Sequence, residues 1–255
     1  MRNEVTLLLS LFLVPICGTC DDQKPRSISA GYGYGTLPQI ADGQYWKTSI
    51  ILANLDSTTS SWKVEFFGDN GNPKEFTLAG RGRATVFSGT LTKYGSATLE
   101  TLGGPGELNQ GWARVSSPNY GDVGAMVIFG TSGIPGRADL EASVPGGRGD
   151  DNDSMIPFDN TIGFATSVAL LNSASYDTVV DAYVLDEQGL ALAVPERITL
   201  KPGTKIAFAT ADRWAVSKNI RGSIFIDNLN GNISSLALRF NPSGAFTTVF
   251  PMSLY

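Results

Sequence analysis

The side chains able to do chemistry in this chain are few, and the missing types narrow the field first. Histidine is absent, and the only cysteines are Cys17 and Cys20. Without imidazole there is no histidine-based triad, no histidine general base and no histidine-ligated zinc. Both cysteines fall within residues 1–20, which read as a secretory signal. A cut after Cys20 leaves a mature chain with no thiol for catalysis or for a thiolate metal site. What is left is carboxylate chemistry, a Ser/Lys pair, or a cation held by oxygens.

Each of those is weighed on its residues. A glycosidase needs two carboxylates facing one cleft; Glu65, Glu75, Glu100, Glu107 and Glu141 lie at strand edges or turns, and nothing in their spacing pairs them. The run Asp150-Asp-Asn-Asp153 has the oxygen density calcium favours, but lacks the central glycine and bidentate glutamate of an EF-hand loop. It reads as a solvated acidic linker. Arg148-Gly-Asp150, Asn152-Asp-Ser154 and Asn232-Ile-Ser234 match an integrin tripeptide and two glycosylation acceptors, all at spacings too short to be specific. Among the four tryptophans, Trp62 alternates in phase with Val64 and Phe66, and Trp46 aligns with Phe164, so both read as core. Trp214 falls in a loop. Trp112 is out of phase with Ala113 and Val115, so it faces outward and, with Tyr120, makes the one plausible platform for stacking a sugar. No catalytic, cofactor or metal residue is assigned; the ligand-binding candidates are Trp112 and Tyr120.

The elements that must carry these residues are announced by a repeat. Trp46-Lys-Thr-Ser-Ile-Ile-Leu-Ala-Asn54 returns as Phe164-Ala-Thr-Ser-Val-Ala-Leu-Leu-Asn172, an offset of 118 (172 − 54) that also carries Phe67-Gly-Asp-Asn-Gly71 onto Leu185-Asp-Glu-Gln-Gly189. Trp62, Val64 and Phe66 match Val180, Ala182 and Val184, one apolar face of a strand in each copy. Ala84–Phe87 is matched with Lys205–Ala209. Gly111-Trp-Ala-Arg-Val115 is matched with Gly222-Ser-Ile-Phe-Ile226. Ala125, Val127 and Phe129 are matched with Leu236, Leu238 and Phe240 at an offset of 111 (240 − 129). That last phase leaves Arg239 outward or paired at the surface.

About seven short strands per copy, separated by Gly, Pro, Asn and Asp, predict an all-β protein of two tandem immunoglobulin-like β-sandwich domains related by internal duplication. Helix is confined to one turn within Thr210–Ser217. The expected boundaries are a signal peptide at 1–20, a flexible leader at 21–36, the first sandwich at 37–145, a Gly/Asp-rich linker at 146–154 and the second sandwich at 155–255. Val144-Pro145 closes the first copy as Phe250-Pro251 closes the second.

Composition bounds the partners. With charged residues at 17% and a net charge of −5, the chain has no basic footprint for nucleic acid. Arg2 followed by the apolar run Val5–Ile16, with Gly18 and Cys20 before Asp-Asp, reads as a secretory signal too short to span a bilayer as a stable helix. The expectation is a secreted, cell-surface or periplasmic protein with no transmembrane segment once the signal is removed. A lipoprotein anchored at Cys20 stays open beside it, although Cys17-Gly-Thr19 departs from the usual lipobox.

Pro157-Phe-Asp-Asn-Thr-Ile-Gly-Phe-Ala-Thr-Ser-Val-Ala-Leu-Leu-Asn172 and Leu238-Arg-Phe-Asn-Pro-Ser-Gly-Ala-Phe-Thr-Thr248 resemble a repeat of secreted proteins from Acidobacteria and similar soil bacteria. Gly111-Trp-Ala-Arg-Val115 and Glu141-Ala-Ser-Val-Pro145 are similar to its companion segments. The resemblance implies paired, exported β-sandwiches without an assigned activity, and it brings no site residues. The functional expectation is a non-enzymatic structural, adhesive or surface-interaction module whose partner is an extracellular protein or glycan. A carbohydrate-binding protein with an exposed aromatic face, and a carboxylate-based hydrolase, remain open.

Overall fold

The computed structural model describes residues 34–118, 122–146 and 153–254. The first half supplies β1 (Tyr34–Asp42), β2 (Trp46–Asn54), β3 (Ser60–Phe67), β4 (Phe76–Leu78), β5 (Gly82–Ala84), β6 (Val86–Leu91), β7 (Ser96–Glu100), β8 (Asn109–Ser116), β9 (Val123–Thr131) and β10 (Leu140–Pro145). The second supplies β11 (Ser154–Asp159), β12 (Ala165–Asn172), β13 (Thr178–Asp186), β14 (Glu196–Leu200), β15 (Lys205–Ala209), β16 (Arg221–Asn228), β17 (Ile233–Phe240), β18 (Phe246–Val249) and β19 (Met252–Ser253). A four-residue helix α1 (Thr210–Arg213) and a 3-10 turn at Ala215–Ser217 follow β15, where the sequence predicts a helical turn.

Each half is a sandwich of antiparallel sheets with one strand order. In the first half β1-β8-β3-β6 opposes β10-β9-β2-β7, and β4-β5 is a separate hairpin. In the second half β11-β16-β13-β14 opposes β18-β17-β12-β15, with β19 added beside β11. Strand for strand the order is the same. It also corrects one match: β6 corresponds to β14, and β7 to β15, so the counterpart of Lys205–Ala209 is Ser96–Glu100 and not Ala84–Phe87. The first half ends on its expected closing segment, whereas the second continues past it. β10 ends at Pro145, and β18 is followed by Phe250-Pro251 before β19 crosses to pair with β11.

The polar residues shared by the two copies hold the fold together. Thr48 and Thr166 are fully buried, and each hydroxyl closes the corner before its strand. Thr48 Oγ1 accepts from the Ala41 N–H and donates to the Ala41 carbonyl; Thr166 Oγ1 does the same with Asp159. Asn54 and Asn172, also buried, end β2 and β12 by donating to loop carbonyls at Thr58 and Tyr176, 2.6 and 2.7 Å away. Buried polar groups must be satisfied, and these four side chains satisfy them at equivalent positions of the two halves. Gly111 and Gly222 are equally constrained: a Cβ at either would lie 2.0 Å from the carbonyl oxygen of Phe67 or Leu185, which are themselves counterparts.

The two copies differ where they meet. Ser49 sits opposite Ile128 in β9, whereas its counterpart Ser167 sits opposite Leu238 in β17. The structural offset is therefore 110 (238 − 128), one residue short of the sequence match. A one-residue slip exchanges the two faces of a strand. Ala237 consequently faces the second core, while Leu236, Leu238 and Phe240 turn outward onto the first half and join its core. Arg239 reaches back to Asp159, its Nη2 donating at 2.7 Å.

β12 is consequently covered on both faces, Val168 and Leu170 on one and Ala169 on the other. This accounts for the unbroken apolar run Val168–Leu171, since a doubly buried strand has no solvent face to alternate onto. Trp46 belongs to this joint and not to the interior of the first sandwich. Its half-buried ring meets Phe246 at 5.0 Å and Phe240 edge-on at 6.4 Å.

Each half has a core of its own, and that of the first half extends onto Ala169, Leu236, Leu238 and Phe246 of the second. The leader is shorter than expected, because β1 begins at Tyr34 and pairs with β8, and Thr36 is buried with its hydroxyl bonded to that of Ser234. The signal segment, Arg148-Gly-Asp150 and most of the acidic run lie outside the described residues. Asp153 is described: its carboxylate accepts the Asn228 N–H at 2.9 Å.

Gly222→Ala drives a methyl group into a backbone carbonyl, whereas Gly106→Ala meets nothing within 4 Å. In urea titrations Gly222→Ala is expected to lose about 1–3 kcal/mol or more, and Gly106→Ala to stay within about 0.5 kcal/mol of the parent.

Candidate functional site

Trp112 is not the exposed platform expected from its phase. It does point away from Ala113 and Val115, but that side of the sheet is covered, and the residue is 1% exposed. Its ring stacks on Phe67 at 4.3 Å with a 17° tilt, the Arg114 guanidinium lies 5.6 Å from it, and Gly203 of the second half closes over it. Alternation tells which face of a sheet a residue takes; it does not tell what packs on that face. Tyr120 lies outside the described residues. Trp214 is likewise buried, donating from Nε1 to Glu196 at 2.8 Å beside the bidentate Arg213–Glu196 pair.

The cover over Trp112 is the polar part of the joint. Lys205, first residue of β15, is fully buried. Its ammonium lies 3.0 Å from Asp69 Oδ1, donates to the Gly111 carbonyl at 3.0 Å, and donates to Gln39 Oε1. All three partners belong to the first half. Gln39 can reach because β1 slips register between Leu37 and Ile40, taking it out of the ladder. Asp69 is held in turn by Gln110, whose Nε2 donates to Oδ2 at 3.2 Å, and its backbone carbonyl accepts the Lys205 N–H at 2.9 Å. Burial pushes the Lys205 ammonium below the ordinary lysine range, and the charge of Asp69 opposes that shift without cancelling it. Lys205 does not form a Ser/Lys dyad with Ser167: in the β12–β15 ladder Lys205 faces Leu171 and Ser167 faces Ala209, about 13 Å apart along the strand.

Beside this network the joint leaves a cleft of about 200 Å³. Trp46, Leu108, Phe129, Leu236, Leu238 and Phe240 give it apolar walls, and Ala41, Ala169 and Ala207 are the small residues that leave the space. Gln39, Gln110 and Ser167 are its polar groups, and no ionised side chain lines it.

A second surface lies on the outward face of β11, β13, β16 and β19. Met252 pairs with Met155, Met155 with Phe225, and Phe225 with Tyr183, so four adjacent strands carry one apolar row. The Tyr183 and Phe225 rings are 5.5 Å apart with a 30° tilt. The alternation that puts Ala182 and Val184 inside already sets Tyr183 outside; the pairing with Phe225 is decided by the β13–β16 register. Asp181, on the same face, is bound bidentately by Arg197.

The carboxylates singled out in the sequence do not come together. Glu65 pairs with Lys63 at 3.1 Å, Glu75 with Arg83 at 2.8 Å and Glu100 with Lys47 at 3.0 Å, while Glu107 and Glu141 are exposed. Among the described residues no three of His, Cys, Asp and Glu cluster as a metal site. The most constrained carboxylate is Asp159. Burial alone would raise it, but the hydroxyl and amide of Thr161 with the guanidiniums of Arg239 and Arg221 hold it well below the usual carboxylate range. Its oxygens are spent on the β11–β12 corner and face no cleft.

No protein family and no curated protein matches the chain. A crystal structure of a candidate secreted protein from Parabacteroides distasonis is similar at 10% identity, covering 91% of this chain and 83% of that one with a TM-score of 0.22. A likeness that low carries neither fold nor function across. No helix among the described residues is long and apolar enough to cross a membrane.

Two outcomes follow from the joint. Trp112→Ala is expected to lower stability by about 3–5 kcal/mol, the cost of a core aromatic, as read from its denaturant midpoint. Lys205 binds its proton less readily folded than unfolded, so between its lowered pKa and 10.5 the unfolded chain holds more protons and stability rises with pH. The difference in unfolding free energy between the parent and Lys205→Met is therefore expected to climb in the parent's favour as pH rises towards 10.5 and to level off above it. A difference that falls over that range contradicts the burial argument.

Proposed function

We propose that this chain is an exported, non-enzymatic interaction module in which two β-sandwiches act as one rigid body. The observation that carries this reading is the joint. Domains joined in one chain move relative to each other by default unless their interface is large and hydrophobic. Here Leu236, Leu238, Phe246 and Ala169 of the second half sit in the core of the first. Each large apolar side chain so buried stabilises by about 1.5–3 kcal/mol. A fixed joint presents surfaces from both halves to a partner in one geometry, which suits recognition. Export rests on the apolar segment Val5–Ile16 and the small residues Gly18 and Cys20 that follow it.

The partner class is an extracellular protein or a glycan. The glycan reading is favoured by the Tyr183–Phe225 pair, because adjacent aromatic rings on an outward sheet face offer apolar surface that the C–H face of a sugar ring stacks on. The expected position for such a site moves from Trp112 to this face.

Expressing the whole chain in a bacterial host and sequencing the exported product tests the first part. An N-terminus at Asp21 is expected; an acylated Cys20 places the protein on a membrane surface, and a full-length product retained in the cytoplasm overturns export. For the glycan reading, a soluble-polysaccharide panel is titrated against the parent and Phe225→Ala. Binding weakened at least tenfold by the substitution supports it; binding indifferent to both Phe225→Ala and Tyr183→Ala rejects the face.

A further inference from the structure

We propose that the cleft at the joint is a binding site for a small uncharged molecule, about one ring in size, carrying a hydrogen-bond acceptor next to a donor. This goes beyond the surface-interaction reading and does not depend on it.

The polarity of the site is set by the ion pair behind it. A glutamine amide can present either end, but these two cannot. The Lys205 ammonium has donors only, so it takes the Gln39 oxygen and leaves the Gln39 NH2 group as its free end. The Asp69 carboxylate accepts only, so it takes the Gln110 NH2 group and leaves the Gln110 oxygen. The cleft therefore presents one fixed donor and one fixed acceptor, without the reorganisation a freely turning amide would require.

Size and sign complete the class. Alanines at 41, 169 and 207, each next to a bulky apolar residue in its strand, leave about 200 Å³. An apolar cavity of about 150 Å³ is known to stay dry and take up benzene, so one substituted ring fits. Trp46 and Phe240 supply the aromatic wall. An ionised ligand would have no counter-charge on the walls and would lose its hydration uncompensated. A primary or cyclic amide on a ring satisfies each condition: its carbonyl accepts from Gln39 and its N–H donates to Gln110.

Benzamide is the probe, with toluene and benzoate as comparisons of similar shape. Saturable binding of benzamide to the whole chain is expected by ligand-detected NMR, with a Kd on the order of 0.1–1 mM. Toluene is expected at least tenfold weaker, and benzoate weaker still. Ala207→Phe fills the mouth from an exposed position of β15; it leaves the fold intact by circular dichroism and abolishes benzamide binding. Gln39→Met is expected to weaken benzamide at least tenfold and to leave toluene unchanged. No saturation with benzamide, or binding that survives Ala207→Phe, overturns the site. Toluene binding as tightly as benzamide overturns the assignment of its polar end. None of these results bears on export or on the Tyr183–Phe225 face, so the two readings fail separately.

Discussion

Burial of the outward face of β12 and β17 against the first half is the interaction on which the rest of this structure depends. Leu236, Leu238 and Phe240 lie on that face because the β12–β17 register sets Ser167 opposite Leu238 and turns Ala237 into the second core. In the other register these side chains would turn into the second core, and Arg239 would turn onto the joint. That register extends the core of the first half onto the second and gives an aromatic contact between Trp46, Phe240 and Phe246. Two similar sandwiches thereby take different roles: the first lends a surface, and the second lends the side chains that cover it.

An apolar joint still has to accommodate one charge. Lys205 is fully buried, and its ammonium is surrounded by oxygens of the first half from Asp69, Gln39 and the Gly111 carbonyl. Replacing a buried pair with apolar residues is often neutral or favourable for stability, so such a pair is better read as a specificity device. Here only Lys205 is fully buried, and its partners come from the Gln39 bulge and the Asp69 turn of the first half. The same pair orients the two glutamines that line the cleft.

The surfaces left over divide by chemistry. The cleft has apolar walls, two oriented amides and no ionised lining, and suits a small neutral molecule. The outward face of the second half is flat, with a row of Met252, Met155, Phe225 and Tyr183 beside the Asp181–Arg197 pair. That face suits a larger partner. Neither brings carboxylates together, and the acidic residues with the firmest partners, Asp159 and Glu196, are spent on the β11–β12 corner and on seating α1.

Much of the fold was legible in the sequence because local physics writes it there. Alternation in Ser61–Phe66 marks a half-buried strand, and Gly and Asn mark the turns. The candidate site was not legible. Trp112 alternates to the far side of its sheet, and only the docking of the second half decides that the far side is interior. Leu238 and Phe240 alternate cleanly, yet the face they occupy depends on a register that neighbouring strands choose together. Lys205 reads as an ordinary surface lysine until a turn 136 positions earlier (205 − 69) brings Asp69 to it. The sequence by itself determined the strands, the turns and the two-copy order, since these depend on residues close in the chain. Tertiary structure alone decided which faces are buried and where a ligand fits, since those depend on contacts between residues far apart in sequence.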